Sequence, residues 1–324
     1  MVIMAELRVL IIDNVFSGYG PEEETLGRFG AEVVTSTGSE ENFAELIASA
    51  DGLIVNLAKI GADLIDRMGR CKVISRYGVG YDNVDIDAAS KAGIWVANVP
   101  DYATEDVSDH AVALLLACIR KIAFRDARIR EGSWNIMERQ QSRRTKGKVM
   151  GILGFGNIGG ATARKLSGFG FDRMLVCDPY INHGVIKGAG AEPVDLDRIL
   201  EQSDYLSVHV PLNDETRHII NTDALAAMKK NAILINTARG GVVDTNAVID
   251  ALKSGEIQYA GLDVHEQEPL PAQSPLFDLD NVVLSDHCAW YTEDSLIELK
   301  SRAAENVVAV LSGKRPANPV NEVD

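Results

Sequence analysis

With 324 residues, the chain is long enough to form two domains, each with its own hydrophobic core, and to bury about three-quarters of its unfolded surface. Its hydrophobic content of 46% and charged content of 24% exclude a disordered or fibrous chain. The net charge of −15 argues against a nucleic-acid backbone or an anionic membrane as a general partner.

The cysteines and the first residues bear on the cellular compartment. Cys71, Cys118, Cys177 and Cys288 are scattered without the spacing of a zinc site or a disulfide framework, so we expect no metal and a reducing cytoplasm. The first twelve residues lack a basic segment followed by a small-residue cleavage site. No run reaches the roughly 18 apolar residues of a membrane span. A cytoplasmic protein without membrane association is therefore predicted.

Short β-rich runs alternate with helical segments through the first hundred residues. Strands are predicted at 7–12, 31–34, 52–55 and 72–75, and helices at 21–29, 39–48 and 62–68. Almost continuously apolar strands that are separated by helices form a parallel sheet covered on both faces. This part of the chain is predicted to be one α/β domain.

A crossing into a second domain is predicted near residue 100. Pro100 follows a predicted strand at 94–97 and disfavours helix at the residue before it. Residues 104–130 carry apolar side chains along one face and are predicted to form one long helix between domains or subunits. Residues 131–147 are polar and basic, with Arg139 among them, and predict a solvated connection.

The stretch 149–166 reads as strand, tight turn and helix. The apolar run 149–153 breaks into Gly-Phe-Gly-Asn-Ile-Gly at 154–159 and then resumes with helix-forming residues. Gly154 allows the turn, Gly156 lets the main chain approach a pyrophosphate, and Gly159 lets the helix pack closely on the strand. The helix start presents unpaired N–H groups and a positive dipole end to the phosphates. The motif predicts a dinucleotide site.

Asp178 indicates which dinucleotide the predicted site binds. It ends the next apolar run, nineteen residues after Gly159, where an acidic side chain accepts hydrogen bonds from both ribose hydroxyls. A carboxylate at this point repels a 2′-phosphate, so NAD is favoured over NADP. An ordinary turn residue ahead of Pro179 is the alternative interpretation.

The alternation of strands and helices resumes after the Gly-rich unit. Strands are predicted at 205–208, 232–235, 259–262 and 282–284, and helices at 195–202, 222–228 and 245–253. These elements predict a second doubly wound parallel sheet. The last amphipathic helix, 292–312, needs a partner surface, so we expect it to return to the first domain and make that domain discontinuous.

Three polar stretches follow strands of the second half, at the carboxyl ends where open α/β sheets bind ligands. They are 236–241, 263–269 and 285–291. In the first stretch, Arg239 follows a buried strand and precedes two glycines. That position suits a guanidinium that binds a carboxylate through two parallel hydrogen bonds.

Hydride transfer to a 2-oxo acid has three requirements of the protein. A cation holds the carboxylate and polarises the ketone, an acid protonates the oxygen, and a third group orients that acid. Arg239, His287 and Glu268 can fill these roles in turn. A carboxylate beside the imidazole favours its charged form and holds one tautomer.

Structural interpretations of the same residues stay open. Glu268 precedes Pro269, as in a surface turn, and Asp263 suits a helix or turn cap. Lone histidines are most often structural, which applies to His110, His183, His209, His218 and His265, although His209 ends a strand and can reach the cofactor. Three complementary residue types at three consecutive strand ends nevertheless favour a reactive site.

At these residues the sequence resembles the D-isomer-specific 2-hydroxyacid dehydrogenases, and the resemblance covers nearly the whole chain. Residues 76–83, Arg-Tyr-Gly-Val-Gly-Tyr-Asp-Asn, resemble the family's substrate loop, whose main-chain N–H groups bind the substrate carboxylate. The other matching blocks are the NAD fingerprint at 154–159 with Asp178, and the segments 236–241, 263–269 and His287 that carry the family's catalytic Arg, Glu and His.

The resemblance implies a set of functional residues. Catalysis falls on Arg239, Glu268 and His287, and substrate binding on Arg76, Gly78, Val79, Gly80 and Trp290. The fingerprint, the strand ends and the resemblance together place cofactor binding on Val107, Gly154, Phe155, Gly156, Asn157, Ile158, Gly159, Asp178, His209, Val210, Thr237, Ala238 and Asp263.

The expected architecture is two doubly wound parallel-sheet α/β domains. A flavodoxin-like substrate domain is expected at 1–99 plus 291–324, and a Rossmann NAD-binding domain at 100–290. The resemblance also implies a cleft between the domains that closes during turnover, and a homodimer built on the NAD-binding domains.

Within the family, the similarity is greatest to the C-terminal-binding-protein-like branch. The shared features are Arg76 before Gly78-Val79-Gly80, the paired glycines after Arg239, Val264-His265-Glu266 and His287-Cys288-Ala289-Trp290-Tyr291. In that branch the residue at the position of Trp290 reaches into the substrate pocket, and the one at Arg76 assists the carboxylate. Asp286 stands where most of the family has Pro, and Ala289-Trp290 replaces a small-residue pair. The identity of the substrate stays open, because a bulky indole reshapes the pocket.

These observations predict an enzyme that transfers a hydride between NAD(H) and a small D-2-hydroxy acid or 2-oxo acid. The alternative is an NAD(H)-sensing, corepressor-like interaction protein with residual dehydrogenase activity, because eukaryotic relatives in the resembling branch act as corepressors. An S-adenosylmethionine methyltransferase shares the Gly-rich turn, but it leaves Arg239, Glu268 and His287 unexplained.

Overall fold

The chain divides into two compact units in its computed structural model, which describes residues 7–12, 16–137 and 141–323. Unit 1 comprises Met1–Tyr102 and Thr292–Asp324, and unit 2 comprises Ala103–Tyr291. Arg139 of the predicted basic connection lies outside the described residues. No helix in the described ranges combines the length and the apolar character that crossing a membrane requires.

Unit 1 contains a five-stranded parallel sheet. Its strands are β1 Leu7–Ile12, β2 Ala31–Ser36, β3 Gly52–Val55, β4 Val73–Arg76 and β5 Trp95–Ala97. Its helices are α1 Gly20–Phe29, α2 Phe43–Ser49, α3 Ala62–Ile65, α4 Ile86–Lys91 and, from the end of the chain, α12 Glu293–Leu311. The strand order β2-β1-β3-β4-β5 is the flavodoxin-like order.

One row of side chains shows why these strands are apolar throughout. Leu10, Leu53, Ile74 and Val96 lie side by side across four strands and are fully buried. The opposite face of the sheet is also covered, because α12 contacts β3 and β4 and packs against α1. Gly52 leaves room for this helix, since a Cβ there would lie 2.8 Å from Cγ1 of Val307.

Unit 2 contains a seven-stranded parallel sheet. Its strands are β6 Val149–Leu153, β7 Arg173–Cys177, β8 Glu192–Pro193, β9 Tyr205–Val208, β10 Ile233–Asn236, β11 Tyr259–Leu262 and β12 Val282–Leu284. Its helices are α5 Thr104–Arg120, α6 Ile122–Arg130, α7 Asn157–Leu166, α8 His183–Gly188, α9 Leu196–Gln202, α10 Thr222–Ala227 and α11 Thr245–Ser254.

The order of this sheet is β12-β11-β10-β9-β6-β7-β8. One half of the Rossmann fold begins at β6 and the other at β9, and these two strands are neighbours at the centre of the sheet. The strand order reverses between β6 and β9, and ligands of open α/β sheets bind beyond the carboxyl ends at such a point. The predicted fold class, two doubly wound parallel-sheet α/β domains, is confirmed.

Three predicted helices differ from the structure by three residues or more, and the one predicted over 62–68 ends at Ile65. The helix predicted over 104–130 is interrupted at Lys121, whose φ of 57° is left-handed. The buried ammonium group of Lys121 lies 3.6 Å from the centre of the Tyr259 ring, a tertiary contact that periodicity does not reveal. The helix predicted from residue 39 begins at Phe43, because Glu40 accepts hydrogen bonds from Ser36 and Thr37 in a turn.

Packing between β11 and α5 gives a test of this core. A Cβ at Gly261 would lie 2.9 Å from Cδ1 of Ile235 and 3.2 Å from Sγ of Cys118. We expect Gly261→Val to lower the free energy of unfolding by about 1–3 kcal/mol through overpacking, as measured by urea denaturation. Gly188→Ala, where no atom lies within 4 Å of the added Cβ, is the matched control and should cost nothing. Equal stabilities of the two variants would contradict this packing.

Candidate functional site

The turn between β6 and α7 has three glycines in three different environments. Gly154 has a φ of +90°, and a Cβ there would lie 2.8 Å from the main-chain carbon of His209. A Cβ at Gly159 would lie 2.1 Å from the carbonyl oxygen of Gly154. Around Gly156, in contrast, no atom lies within 4 Å of the Cβ position. Two glycines therefore allow the strand, turn and helix to pack, and the third leaves open space beside the main chain.

The start of α7 supplies hydrogen-bond donors to that space. Gly156 is the N-cap residue and has no side chain to cap the main-chain N–H groups of Ile158 and Gly159 in the first turn of this ten-residue helix. They lie at the positive end of the helix dipole, which favours an anion. The arrangement fits the pyrophosphate of a dinucleotide.

Asp178 connects the end of β7 to the same turn. Its Oδ2 accepts a hydrogen bond from the main-chain N–H of Phe155 at 2.7 Å, and its Oδ1 accepts one from Tyr180 at 2.9 Å. Each carboxylate oxygen has a second lone pair, which leaves acceptors for ribose hydroxyls. The negative charge at this position disfavours a 2′-phosphate.

The ends of β9 and β10 carry the next group of predicted cofactor residues, His209, Val210, Thr237 and Ala238. Nε2 of His209 lies 2.8 Å from Oγ of Ser207, and burial lowers the pKa of His209 to about 4, so the imidazole is neutral at physiological pH. Nδ1 of His209 and Oγ1 of Thr237 are buried without a hydrogen-bond partner in the described part of the chain. Buried polar atoms of this kind suit a ligand that supplies the partner. Val107, on α5, is buried.

An imidazole and a carboxylate form a hydrogen-bonded pair after β11 and β12. Nδ1 of His287 lies 2.7 Å from Oε2 of Glu268, and both side chains are about one-quarter exposed. The main chain holds both partners, because the N–H of His287 donates to the carbonyl of Asp263 and the N–H of His265 donates to Glu268. An ionised Glu268 can only accept, so Nδ1 of His287 carries the donated proton and Nε2 faces outward from the pair.

Glu268 remains ionised over a wide pH range. Burial raises the pKa of Glu268, but hydrogen bonds from His287 and from the main chain of His265 outweigh burial and hold the net pKa below its usual value. A depressed carboxyl pKa gives stability that is present above the unfolded pKa and is lost as the pH falls through the folded one. The pair therefore persists from alkaline to mildly acidic pH.

Arg239 lies beside this pair in the sheet order. It follows β10, and the Asn236 side chain holds its segment by donating to the carbonyl of Arg239 and accepting from the N–H of Ala238, both at 3.0 Å. A Cβ at Gly240 would lie 2.0 Å from the main-chain carbon of His265, so the Arg239 and Glu268 loops are in contact. β10, β11 and β12 are adjacent, and their carboxyl ends bring a guanidinium, a carboxylate and an imidazole to one edge.

Asp263 holds the segment that carries His287. Its carboxylate is 1% exposed and accepts hydrogen bonds from the Ser285 hydroxyl and from the main-chain N–H groups of Cys288 and Ala289. His110, Asp263 and Cys288 bring three possible metal-ligand atoms within 4.8 Å of one another. The three N–H and O–H donors already occupy lone pairs of the carboxylate, so we assign Asp263 to loop support.

Trp290, nearby in sequence, packs edge to face with Tyr291.

In unit 1, the loop after β4 has the features of an anion-binding turn. Arg76 is buried, Gly78 has a φ of +119°, and a Cβ there would lie 2.1 Å from Nη1 of Arg76. Val79 is 44% exposed, so the tip of the loop is accessible. Only glycine can adopt this conformation and pass so close to the guanidinium.

Sequence reasoning did not select the residues that hold the loops in place. Asn236 is the last residue of β10, and Asn98 and Ser285 directly follow β5 and β12. Each makes hydrogen bonds that position a neighbouring loop. A polar amide at the carboxyl end of an apolar strand is the signal that would have pointed to Asn236 and Asn98.

The fold and the strand-end chemistry together define a nicotinamide-nucleotide-dependent dehydrogenase. A sequence model described as the NAD binding domain of the D-isomer specific 2-hydroxyacid dehydrogenases matches residues 112–289. A glyoxylate reductase of Thermofilum pendens is 44% identical over 289 residues, which cover 88% of this chain and 85% of the relative. The chain therefore belongs to the D-isomer specific 2-hydroxyacid dehydrogenase family.

Two further relatives show the range of the family. A D-3-phosphoglycerate dehydrogenase of Methanocaldococcus jannaschii is 39% identical over 293 residues, covering 90% of this chain and 55% of that protein. The crystal structure of an Aquifex aeolicus D-lactate dehydrogenase complexed with NAD and lactic acid matches 98% of this chain and 100% of its own, with a TM-score of 0.88 and 28% identity. The predicted function class and cofactor are confirmed: the chain is an oxidoreductase that transfers a hydride between NAD(H) and a 2-hydroxy or 2-oxo acid.

The position of Asp178 gives a test of nucleotide choice. Asp178→Asn keeps an oxygen acceptor for the N–H of Phe155 or Tyr180 but removes the charge that repels a 2′-phosphate. We expect the ratio of NADPH to NADH affinity to rise by roughly tenfold or more, corresponding to about 1.4 kcal/mol, in fluorescence titrations. Asp250→Asn, exposed on α11, should leave the ratio unchanged. An unchanged ratio in Asp178→Asn would remove Asp178 from the nucleotide site.

Proposed function

We propose that the protein reduces a small 2-oxo acid, with glyoxylate as the first candidate, to the corresponding 2-hydroxy acid. The observation that carries this proposal is the 2.7 Å pair of Glu268 and His287, which lies one strand from Arg239 at a common sheet edge. Glyoxylate is chosen because several relatives of 39–44% identity are named glyoxylate reductases. No observation favours an NAD-sensing function over turnover.

Each of the three side chains has a distinct role in the proposed reaction. Arg239 binds the substrate carboxylate and polarises the carbonyl group through its planar, permanently charged guanidinium. His287 gives the proton on Nε2 to the carbonyl oxygen as charge develops there. Glu268 holds Nδ1–H of His287, so it keeps the ring in one orientation and stabilises the imidazolium before the proton leaves.

The cofactor residues divide by the part of the dinucleotide that they fit. When bound, NADH supplies the hydride that goes to the carbonyl carbon. The turn 154–159 and the start of α7 hold the pyrophosphate, and Asp178 accepts from the ribose hydroxyls. Val107, His209, Val210, Thr237 and Ala238 are assigned to the remaining contacts, with the buried polar atoms of His209 and Thr237 as the available partners. Asp263 holds the neighbouring loop instead.

Unit 1 is proposed to bind the acid end of the substrate with its own loop. The carbonyl groups of Tyr77, Gly78 and Val79 all accept hydrogen bonds from within unit 1. The N–H groups of Gly78, Val79 and Gly80 have no acceptor among the described residues, so they are available to a carboxylate. The buried guanidinium of Arg76 adds positive charge beneath the loop.

The finer assignment to the C-terminal-binding-protein-like branch is also a proposal. It is supported by Arg76 ahead of the loop, by Gly240 and Gly241 after Arg239, and by Trp290 after the catalytic histidine. We assign the indole of Trp290 to the substrate pocket, where a large side chain favours a small oxo acid.

A homodimer through unit 2 is proposed from its exposed apolar side chains. Ile122, Ile129, Trp134, Ile136 and Met137 lie within sixteen residues of one another and are 50–89% exposed. A cluster of this kind on one segment is typical of a protein–protein interface.

All four cysteines are free thiols, which is in keeping with the proposed cytoplasmic location.

The catalytic proposal is tested by steady-state kinetics with NADH and a panel of 2-oxo acids that begins with glyoxylate. We expect His287→Asn to lower kcat by roughly 10²–10⁴-fold, because the proton donor is lost. Glu268→Gln should lower kcat by about tenfold or more, because the imidazole loses the carboxylate that accepts its Nδ1–H and orients the ring.

Two measurements make this test decisive. Glu201→Gln, an exposed carboxylate of unit 2, is the matched control and should retain wild-type kcat. NADH affinity should be unchanged in all three variants. Wild-type protein that binds NADH but reduces no 2-oxo acid of the panel would contradict the proposed function.

The dimer proposal predicts that the double variant Trp134→Glu, Ile136→Glu sediments as a monomer at concentrations where the wild type is a dimer. Two charges placed in an apolar interface cannot be solvated there. Phe277→Glu, which changes another apolar side chain of unit 2 that is 55% exposed, should leave the sedimentation coefficient unchanged. A monomeric wild type would disprove the proposal.

A further inference from the structure

We infer that Asn98 is a positioning residue for the substrate carboxylate, acting through the direction of the main-chain N–H of Gly80. The inference rests on the proposed role of the loop that follows β4. Asn98 is the side chain of unit 1 that determines the direction of the main-chain N–H groups in this loop. The contacts of Asn98 lie entirely within unit 1.

Two hydrogen bonds hold the peptide groups of the loop. The carbonyl of Gly78 accepts from the N–H of Val99 at 3.0 Å, and the carbonyl of Val79 accepts from Nδ2 of Asn98 at 2.7 Å. In a trans peptide the C=O and N–H of one group point in opposite directions. Fixing these two carbonyls therefore fixes the N–H of Val79 and the N–H of Gly80 on the far side, away from Asn98.

Only one of these two contacts depends on a side chain. The contact to Gly78 comes from the main chain of Val99 and belongs to any sequence with this backbone. The contact to Val79 comes from the Asn98 amide and is lost with it. Glycine at 80 imposes little restraint of its own, because it has no Cβ. The orientation of the peptide between Val79 and Gly80 therefore depends on Asn98.

Asn98 is itself held rigidly. It is 8% exposed, its N–H donates to the carbonyl of Asn318, and its carbonyl accepts from Nδ2 of Asn306 at 3.1 Å. Asn306 is 3% exposed on α12. A buried chain of hydrogen bonds thus runs from α12 through Asn98 to Val79, and it transmits the rigidity of the helix to the loop.

The residue before the loop has a separate anchor. The hydroxyl of Tyr77 donates to Oε1 of Glu22 at 2.6 Å, and its N–H donates to the carbonyl of Val55 at 2.8 Å. Both Tyr77 and Glu22 are fully buried. The start of the loop is therefore fixed independently of Asn98, so a change at Asn98 should rotate the later peptide without releasing the whole loop.

The direct test is Asn98→Leu, which keeps the size and neutrality of the side chain and removes the N–H donor. We expect KM for glyoxylate to rise by roughly tenfold or more, with kcat changed by less than about threefold and NADH affinity unchanged. The inhibition constant for oxalate, an unreactive dicarboxylate, should rise in parallel. KM for methyl glyoxylate, which lacks the carboxylate, should change much less.

Asn321→Leu is the matched control. Asn321 is 9% exposed in unit 1, donates to the carbonyl of Ile94 and to Ser90, and accepts from the N–H of Val96, but it makes no contact with the loop. Its loss should lower the melting temperature and leave KM for glyoxylate unchanged. If KM for Asn321→Leu rose as much as KM for Asn98→Leu, general destabilisation would explain both effects and the inference would be overturned.

A second variant covers the case in which Asn98→Leu does not fold. Asn306→Leu removes the donor to the Asn98 carbonyl and should raise KM in the same direction by a smaller factor. Folded Asn98→Leu with wild-type KM for glyoxylate overturns the inference while the proposed function stands. A wild type that reduces neither glyoxylate nor any other 2-oxo acid overturns both.

Discussion

All the chemistry of this protein depends on the parallel arrangement of its strands. In a parallel sheet every strand delivers its carboxyl end to the same edge, so residues far apart in sequence become neighbours there. In unit 2, adjacent strands β10, β11 and β12 end in the segments that carry Arg239, Glu268 and His287. The Gly-rich turn follows β6, two strands from β10. The reversal of strand order between β6 and β9 leaves room for a ligand at that edge.

A second principle recurs at each strand end, where a buried amide or carboxylate holds the main chain of a loop. Asn236 does so for the Arg239 segment, Asp263 for the His287 segment, and Asn98 for the loop after β4. Each satisfies partly buried N–H or C=O groups, which are costly to leave without a partner. The functional side chains are thereby carried on loops whose main chain has little freedom.

The two histidines His209 and His287 differ in their electrostatic surroundings. His209 is enclosed and has no carboxylate partner in the part of the chain that the structure describes. Burial therefore lowers the pKa of His209, and the ring stays neutral beside the nucleotide turn. His287 is partly exposed and bonded to Glu268, whose own pKa is held below its usual value. A neutral imidazole suits a structural or cofactor contact, and one supported by a carboxylate suits proton transfer.

The sequence by itself determined the alternation of apolar strands and helices, the glycine turn with Asp178, and the candidates Arg239, Glu268 and His287. These are local signals, since periodicity, turn chemistry and the position after a strand are all readable within a few residues. Tertiary structure alone decided the break at Lys121, where a buried ammonium group packs on Tyr259, and the choice of Asn98 and Asn236 as loop supports. The partners of Asn98 come from residues 79, 306 and 318. Contacts across such separations exist only after the sheet and its covering helices have packed, so no local pattern in the sequence encodes them.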